Sequence, residues 1–262
     1  MELSFISLTW NSEKYIAKCM DALFSALENE NISYEIFIVD NGSRDATLSV
    51  INSFQDKYPG RIRLICLEKN TGTTYSRNLA LKQAIGDYIV IMDSDVEVKP
   101  GTVAALRDML KTRSDAGLAA PRLLYPNGNL QKSVDVFPTV FTKLYRYFFL
   151  KSLEKKENLL PLNPQPREVD YAISALWVMK RQAFEKTGLL DENIFYSPED
   201  VDYCLRLRKA GYKIIYDPRV TAIHHTQEIS RGFRLNKAAI SHAKGLLYYF
   251  RKHGYIFKKP IF

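Results

Sequence analysis

From Leu3 to Asp95 the chain alternates short apolar runs with amphipathic ones, and this limits the available folds more than any other feature. Leu3 to Leu8 reads as a strand, and Ser12 opens a helix with Ile16, Met20, Leu23 and Leu27 along one face. Glu35 to Val39 is a second strand, ending in Asp40-Asn41-Gly42-Ser43, and a helix follows through Leu48 and Ile51. Arg61 to Leu67 is a third strand, Thr73 to Ile85 a helix closed by Gly86, and Tyr88 to Met92 a fourth strand leading into Asp93-Ser94-Asp95. A βαβαβαβ order calls for a parallel sheet with helices on both faces. Such sheets take their ligands at the carboxyl ends of the strands. Thr9-Trp10-Asn11, Asp40 and Asp93 all fall at those ends.

The second half is less regular. Pro121 to Pro138 reads as a loop with a hairpin, Phe137 to Leu150 as an aromatic, basic stretch, and Lys151 to Pro166 as a linker. Asp170 to Met179 is expected to be one strand, with a short helix over Arg181 to Lys186. Ser197-Pro198-Glu199-Asp200 opens a helix that Gly211 closes, and Tyr212 to Tyr216 and Val220 to His225 are two short strands. The 262 residues suffice for one large domain with a sizeable core. No apolar run approaches the ~20 residues of a membrane span, and the N-terminal residues lack the basic and small-residue marks of a signal peptide. Cys19, Cys66 and Cys204 are odd in number and widely spaced, so buried free thiols in a reducing cytoplasm are expected.

Each polar element has a plain reading beside a chemical one. Asp93 and Asp95 can meet one hard divalent cation, such as Mg2+ or Mn2+, whose remaining positions substrate phosphates would fill; alone, Asp-x-Asp is an acidic loop. Asp40 can accept the imide N–H of uracil or thymine, and equally its tetrapeptide makes a good turn. Gly72 permits close backbone approach, the following helix offers N–H groups to an anion, and Arg77 can pair with phosphate or stack on a base. The plain alternative is a capped helix with a surface arginine. Neither G-x-G-x-x-G nor a P-loop is present. Ser197, Pro198 and Asp200 resemble a capping box, while a carboxylate at that helix start can also serve as a general base. His224 and His225 are adjacent in a strand and so point to opposite faces; at most one faces a given site.

Taken in order, these elements resemble the family-2 inverting glycosyltransferases of GT-A fold, over roughly residues 3 to 226. The matching stretches are Thr9-Trp10-Asn11, Asp40-Asn41-Gly42-Ser43, Asn70-Thr71-Gly72 with Arg77-Asn78, Gly86-Asp87-Tyr88 before Asp93-Ser94-Asp95, and Ser174-Ala175. Asp191-Glu192 with Phe195, Glu199-Asp200-Val201-Asp202 through Arg206 to Ala210-Gly211-Tyr212, and His224-His225 complete the series. The subgroup it looks most like is the rhamnosyltransferase-like enzymes of bacterial cell-surface polysaccharide synthesis.

The resemblance implies an α/β fold with a Rossmann-like, mostly parallel central sheet flanked by helices. A nucleotide-binding half would span about 1–115 and an acceptor half about 116–230. It further implies that Thr9, Asn11, Asp40, Asn41, Gly72, Arg77, Asp93 and Ser94 hold the nucleotide and donor. Asp93 and Asp95 would bind Mg2+ or Mn2+, with one of His224 and His225 as a further ligand. Asp95 is the expected direct ligand, while Asp93 also faces the donor's ribose or sugar. Asp200 would be the base and Glu199 would orient acceptor or donor hydroxyls. The donor would be dTDP-rhamnose or a UDP-sugar, and the acceptor a saccharide or a polyprenyl-diphosphate-linked one. The chain departs from the family pattern at Thr226-Gln227-Glu228-Ile229, where glycines and serines are usual, and at Ser174, where glycine is usual. Two other functions compete with this one: a catalytically inactive nucleotide-sugar-binding module, against which the intact acids Asp93, Asp95, Glu199 and Asp200 argue, and a sugar-nucleotide pyrophosphorylase, whose glycine-rich basic loop after the first strand is missing.

The net charge of +8 resides in one segment. Arg231, Arg234, Lys237, Lys244, Arg251, Lys252, Lys258 and Lys259 are accompanied by no acid from residue 231 to 262, and the rest of the chain is balanced. Lys237 to His253 can form a helix with Ile240, Leu246, Leu247 and Phe250 among its apolar positions, and Tyr248, Tyr249, Tyr255 and Phe257 as interfacial aromatics. Such a segment suits the anionic inner face of the plasma membrane, and equally it can pack on the domain as a final helix. A nucleic-acid partner is not expected, because no recognition motif accompanies the charge; a homodimer is compatible with the sequence.

Overall fold

The structure is a computed structural model and describes residues 1–28, 30–142, 149, 165–225, 237–260 and 262. The elements begin β1 (Leu3–Thr9), α1 (Ile16–Glu28), β2 (Tyr34–Asp40), α2 (Thr47–Lys57), β3 (Ile62–Cys66), α3 (Thr73–Leu81), β4 (Tyr88–Asp93), β5 (Val96–Val98) and α4 (Thr102–Thr112). They continue with β6 (Ala116–Leu124), β7 (Leu130–Gln131), β8 (Val134–Asp135), β9 (Arg167–Val169), β10 (Tyr171–Ala172), β11 (Leu176–Lys180), α5 (Arg181–Thr187), α6 (Glu199–Lys209), β12 (Lys213–His224) and α7 (Lys237–His253).

The main sheet runs β3-β2-β1-β4-β11-β6-β12-β5. Its first four strands are parallel, as the alternation requires. Successive side chains of these strands enter opposite cores. Phe5, Ile36, Ile38, Val90 and Met92 pack with Ile16, Leu23, Phe24, Ile51 and Leu106 on one face. Ile6, Phe37, Val39, Ile89 and Ile91 pack with Ala80, Leu81, Trp177, Val201 and Tyr249 on the other. Both faces are therefore covered by helices, and only the strand ends remain for chemistry.

Several boundaries differ from the sequence reading. α1 starts at Ile16 rather than Ser12, because Ser12 forms a turn with its carbonyl accepting from both Tyr15 and Ile16 N–H. α3 ends at Leu81 rather than Ile85, where the chain turns so that Ile85 N–H reaches Glu35. Gly86 is a contact residue on β1: a Cβ there would lie 2.6 Å from the Ser4 nitrogen. The strand expected over Asp170 to Met179 is two strands. β10 joins β8 in a small sheet, Ile173 N–H bonds Ser133, and Ala175 O accepts from Asp93 N–H before β11 enters the main sheet. The strands expected over Tyr212 to Tyr216 and Val220 to His225 are a single β12 with an irregularity between Asp217 and Thr221. Pro121 lies opposite Asp217 there, which explains how proline sits within β6. The capping box does not form: Pro198, not Ser197, occupies the N-cap of α6, and no side chain caps the helix. β5, β6, β9 and α4 were not foreseen; of the loop with a hairpin expected over Pro121 to Pro138, the hairpin is the end of β6 paired with β7. Cys19 and Cys204 are buried free thiols, whereas Cys66 is exposed.

The segment 237–253 is helical as expected, and it packs on the domain. Tyr249 is fully buried, so it is a core residue rather than an interfacial one, while Leu247 is 71% exposed. No helix among the described residues is long and apolar enough to cross a membrane. The linker expected at Lys151 to Pro166 lies almost wholly outside the described residues, as do half of the basic stretch from Phe137 to Leu150 and the departure at Thr226 to Ile229.

Candidate active site

β4 delivers Asp93 to the carboxyl edge of the sheet, and the Ser94-Asp95 turn reverses the chain into β5. β5 then pairs antiparallel with β12, placing His224 opposite Val96, and His225 N–H bonds the Asp95 carbonyl at 2.9 Å. This ladder joins residues far apart in sequence. Ligand atoms of Asp93, Asp95 and His224 all lie within 4.8 Å of one another, and His224 Nε2 is 3.3 Å from an Asp95 oxygen. His224 Nδ1 faces the buried Oε1 of Gln131 at 3.0 Å. With Nδ1 donating there, the Nε2 lone pair turns to the aspartates. Two carboxylates and one imidazole form a donor set that fits Mn2+ and, through its oxygens, Mg2+. The buried Cys19 thiol senses the same negative field: burial, then Asp95, Glu97 and Asp93, push it up. His225 does not share this position. Its Nε2 pairs with Glu97 and its ring packs on Tyr15, so its expected role as a ligand is withdrawn.

Arg77 joins this cluster to a second one. Its guanidinium is buried, bonds Asp93 through Nη2, donates to Ser174 Oγ at 2.9 Å through Nη1, and lies 3.6 Å from Glu199 Oε1. The Ser174 hydroxyl in turn donates to Glu199 Oε1 at 3.4 Å. The serine that departs from the family's glycine thus has a partner in the site. Arg77 is not a phosphate-facing surface residue, as expected from its helix position, but an internal cation between the two acidic groups. Burial and the neighbouring Asp200 charge push the Glu199 carboxyl up to about 8 against the opposing pull of Arg77. Asp200 Oδ1 accepts from Val201 N–H at 2.7 Å, at the first turn of α6. Tyr196 was missed by the sequence reading: burial, then the charges of Glu199, Asp93, Asp95 and Asp200, push its phenol up to about 12. Its signal, an aromatic two positions before proline, is too common to single out.

On the nucleoside side, Thr9 and Asp40 are paired across β1 and β2. Asp40 Oδ2 accepts from Ser43 N–H at 3.0 Å, while buried Asp40 Oδ1 and Thr9 Oγ1 have no hydrogen-bond partner. The other expected donor contacts are committed elsewhere. Asn41 is buried, with its amide bonding Asn70 and the Gly72 carbonyl and its oxygen accepting from Thr71. Gly72 does allow close approach, but of protein: a Cβ there would lie 2.4 Å from Phe195 O. Thr73 N–H donates to that carbonyl at 2.6 Å, so the α3 N-terminus holds Phe195 rather than phosphate. Asn11 has a φ of 49° and accepts from Arg44 N–H at 2.8 Å. Ser94 shares its hydroxyl with Ser12 at 3.0 Å.

A mostly parallel open sheet with a carboxylate cluster at its strand ends and a second acidic pair at a facing helix start defines a glycosyltransferase of GT-A architecture. The Glycosyl transferase family 2 pattern matches residues 4–188, and the chain belongs to that family. It is 23% identical, over 99% of its length and 87% of the relative's, to the N-acetylglucosaminyl-diphospho-decaprenol L-rhamnosyltransferase of Mycobacterium tuberculosis. It is 30% identical, over 58% of its length and 28% of the relative's, to the poly(ribitol-phosphate) beta-N-acetylglucosaminyltransferase TarS of Staphylococcus aureus. Among solved structures, residues 1–349 of S. aureus TarS with UDP superimpose with a TM-score of 0.64 at 20% identity, covering 97% of this chain and 74% of that one. The mannosyltransferase PcManGT of Pyrobaculum calidifontis, with GDP-Man and Mn2+, gives 0.66 at 18% identity, covering 99% and 66%. These likenesses establish the fold.

Proposed function

We propose that this glycosyltransferase performs a divalent-metal-dependent, inverting transfer from a uracil- or thymine-nucleotide sugar to a hydroxyl of a lipid-linked saccharide. The observation that carries the reading is the convergence of Asp93, Asp95 and His224 on one side of Arg77, with Glu199 on the other. Asp93, Asp95 and His224 would hold Mn2+ or Mg2+, which when bound neutralises the charge that develops on the departing diphosphate. Asp40, with an unpartnered buried oxygen at the strand end, accepts the imide N–H that uracil and thymine share, and the Thr9 hydroxyl beside it meets the nucleoside. Asp200 takes the proton of the attacking hydroxyl. Glu199, whose carboxyl is raised to about 8, is mainly protonated at neutral pH and donates a hydrogen bond to a substrate oxygen. One displacement with one base inverts the anomeric centre, without the carboxylate nucleophile of a retaining hydrolase.

The half of the chain up to about residue 115 binds the donor, and residues 116–230 the acceptor. The Mycobacterium relative, which transfers rhamnose and is named for a diphospho-decaprenol acceptor, supports dTDP-rhamnose as one donor to test and a polyprenyl-diphosphate acceptor; the neighbour solved with UDP supports the other base. An acceptor of that kind places the enzyme at the cytoplasmic face of the membrane, against which the exposed Leu247, Arg251, Phe257 and Lys258 are available. A panel of UDP- and dTDP-sugars, with and without Mn2+, tests the reading by thermal shift and by release of nucleoside diphosphate. Equal release by wild type and Asp95→Ala overturns the metal assignment. For the surface, reversing Arg251, Lys258 and Lys259 to Glu weakens binding to phosphatidylglycerol vesicles, and unchanged binding removes the membrane from the proposal.

A further inference from the structure

The loop between α5 and α6, residues 188–198, ends at Glu199-Asp200, and two separate elements grip it. α3 holds one side: Asn78 exchanges bonds with both backbone groups of Leu190, Thr74 Oγ1 donates to Ile194 O at 2.7 Å, and Thr73 N–H donates to Phe195 O. α7 holds the other. Tyr248 OH and Lys252 Nζ bond Asp191 Oδ2 at 2.9 and 2.6 Å, and His242 Nδ1 is 2.8 Å from Ser197 Oγ. Lys252 and His253 also reach Asp202, within the first turn of α6, at 2.6 and 2.8 Å.

The tightest approach is at Gly245. Glycine within a helix is disfavoured, yet Gly245 sits within α7. A Cβ there would lie 2.1 Å from Ser197 O and 3.2 Å from Pro198 Cδ. The first atom met is a backbone carbonyl two residues before Glu199, and it cannot swing aside as a side-chain tip could.

We infer that α7 is a positioning element of the reaction centre, with Gly245 as a notch that seats the Ser197-Pro198 turn and His242 as the bond that fixes it, so that the last helix sets the pose of Glu199 and Asp200. The inference rests on the reading of those two acids given above. Neither Gly245 nor His242 touches substrate; both act through Ser197.

The test compares Gly245→Ala, His242→Ala and, as control, Lys244→Ala on the neighbouring exposed position, using the full chain. Steady-state transfer gives kcat and donor KM, and hydrogen exchange reports on backbone amides 191–203. The expected result for Gly245→Ala is a kcat lower by about 10- to 100-fold, the scale on which a misplacement of about 1 Å acts. Donor KM and Mn2+ affinity stay at wild-type values, and exchange in 191–203 is faster. His242→Ala, which adds no volume and so leaves α7 free to dock, shows the same direction with a smaller change; Lys244→Ala shows none. Alanine is the better helix former, so a raised Tm with kcat and exchange unchanged in Gly245→Ala overturns the inference. Parallel Glu199→Ala and Asp200→Asn variants separate the two levels. If both keep full turnover while Gly245→Ala still loosens 191–203, the roles of the acids fail and the bracing stands.

Discussion

His224 Nδ1 meets Gln131 Oε1 at 3.0 Å, a buried contact that turns the other ring nitrogen toward Asp95. Partners of this kind fix the tautomer of a ligating imidazole. His224→Ala is expected to weaken Mn2+ binding by about 10- to 100-fold, and Gln131→Ala by about tenfold. His225→Ala leaves it unchanged, because that ring belongs to Glu97 and Tyr15. Electron paramagnetic resonance titration of free Mn2+ measures all three; equal losses at both histidines contradict the geometry.

Glu199 gives the site an alkaline limit. Its carboxyl is raised to about 8 by burial and by Asp200, and its proposed role uses the protonated form. Activity therefore falls as pH rises through about 8. Glu199→Gln keeps a hydrogen-bond donor that does not ionise, so it retains most of the activity at pH 7 and loses that alkaline limb. Asp200→Asn removes the proposed base and is expected to cost about 10²- to 10⁴-fold in kcat at any pH. A pH–rate profile of the three proteins decides the matter.

In the proposed donor site, Asp40 discriminates by one unpartnered buried oxygen. Asp40→Asn places an amide N–H₂ where the imide N–H must donate, and Asp40→Ala removes the acceptor. Both are expected to weaken UDP and dTDP binding by about 10- to 100-fold, a loss of about 1.5–3 kcal/mol for a hydrogen bond to a charged group. Calorimetry with the two nucleotides and with GDP shows whether the loss is confined to bases with that imide.

Asp202 is a buried anion beside two cations, Arg206 and Lys252, and a ring nitrogen of His253. Burial alone would raise its carboxyl, but His253, Arg206 and Lys252 outweigh it and hold it below the usual range. Asp202→Asn leaves those groups facing no charge and is expected to cost about 3 kcal/mol in urea unfolding at pH 7. A carboxyl lowered on folding stabilises above its ordinary value of 3.8, and the contribution disappears as pH falls through the folded value. The gap between wild type and Asp202→Asn therefore narrows in acid.

The strand ends were legible because unbroken apolar runs, buried on both faces, and a parallel order place Asp40 and Asp93 at one edge whatever the details. The histidine pair was also legible in part: adjacent residues in a strand face apart, and the two rings do take separate partners. Which ring faces the acids was hidden, since it depends on β5, a three-residue strand too short to announce itself. Arg77, Asn41 and Gly72 misled for a common reason. Their residue types suit phosphates and nucleosides, but each has a protein partner remote in sequence: Gly72 meets Phe195, Arg77 bonds Ser174 97 positions on, and Asn41 bonds Asn70 and Gly72 at separations of 29 and 31. Local pattern carries no record of such a partner. The expected capping box failed similarly, because the Ser197 hydroxyl faces His242 instead of its own helix.

Tyr249 and its neighbours on α7 give the domain a late step in assembly. The bond from Lys252 to Asp191 spans 61 residues and that from His253 to Asp202 spans 51. The sheet itself closes longer loops, such as the 128 residues from Glu97 to His225, so α7 is set apart by following its partners in the chain rather than by the length of the loop. Before α7 is made, the apolar cluster lacks Tyr249, and Asp202 lacks its bonds from Lys252 and His253. On the bracing inferred for α7, the acidic pair Glu199-Asp200 is the last part of the candidate site to be fixed in place.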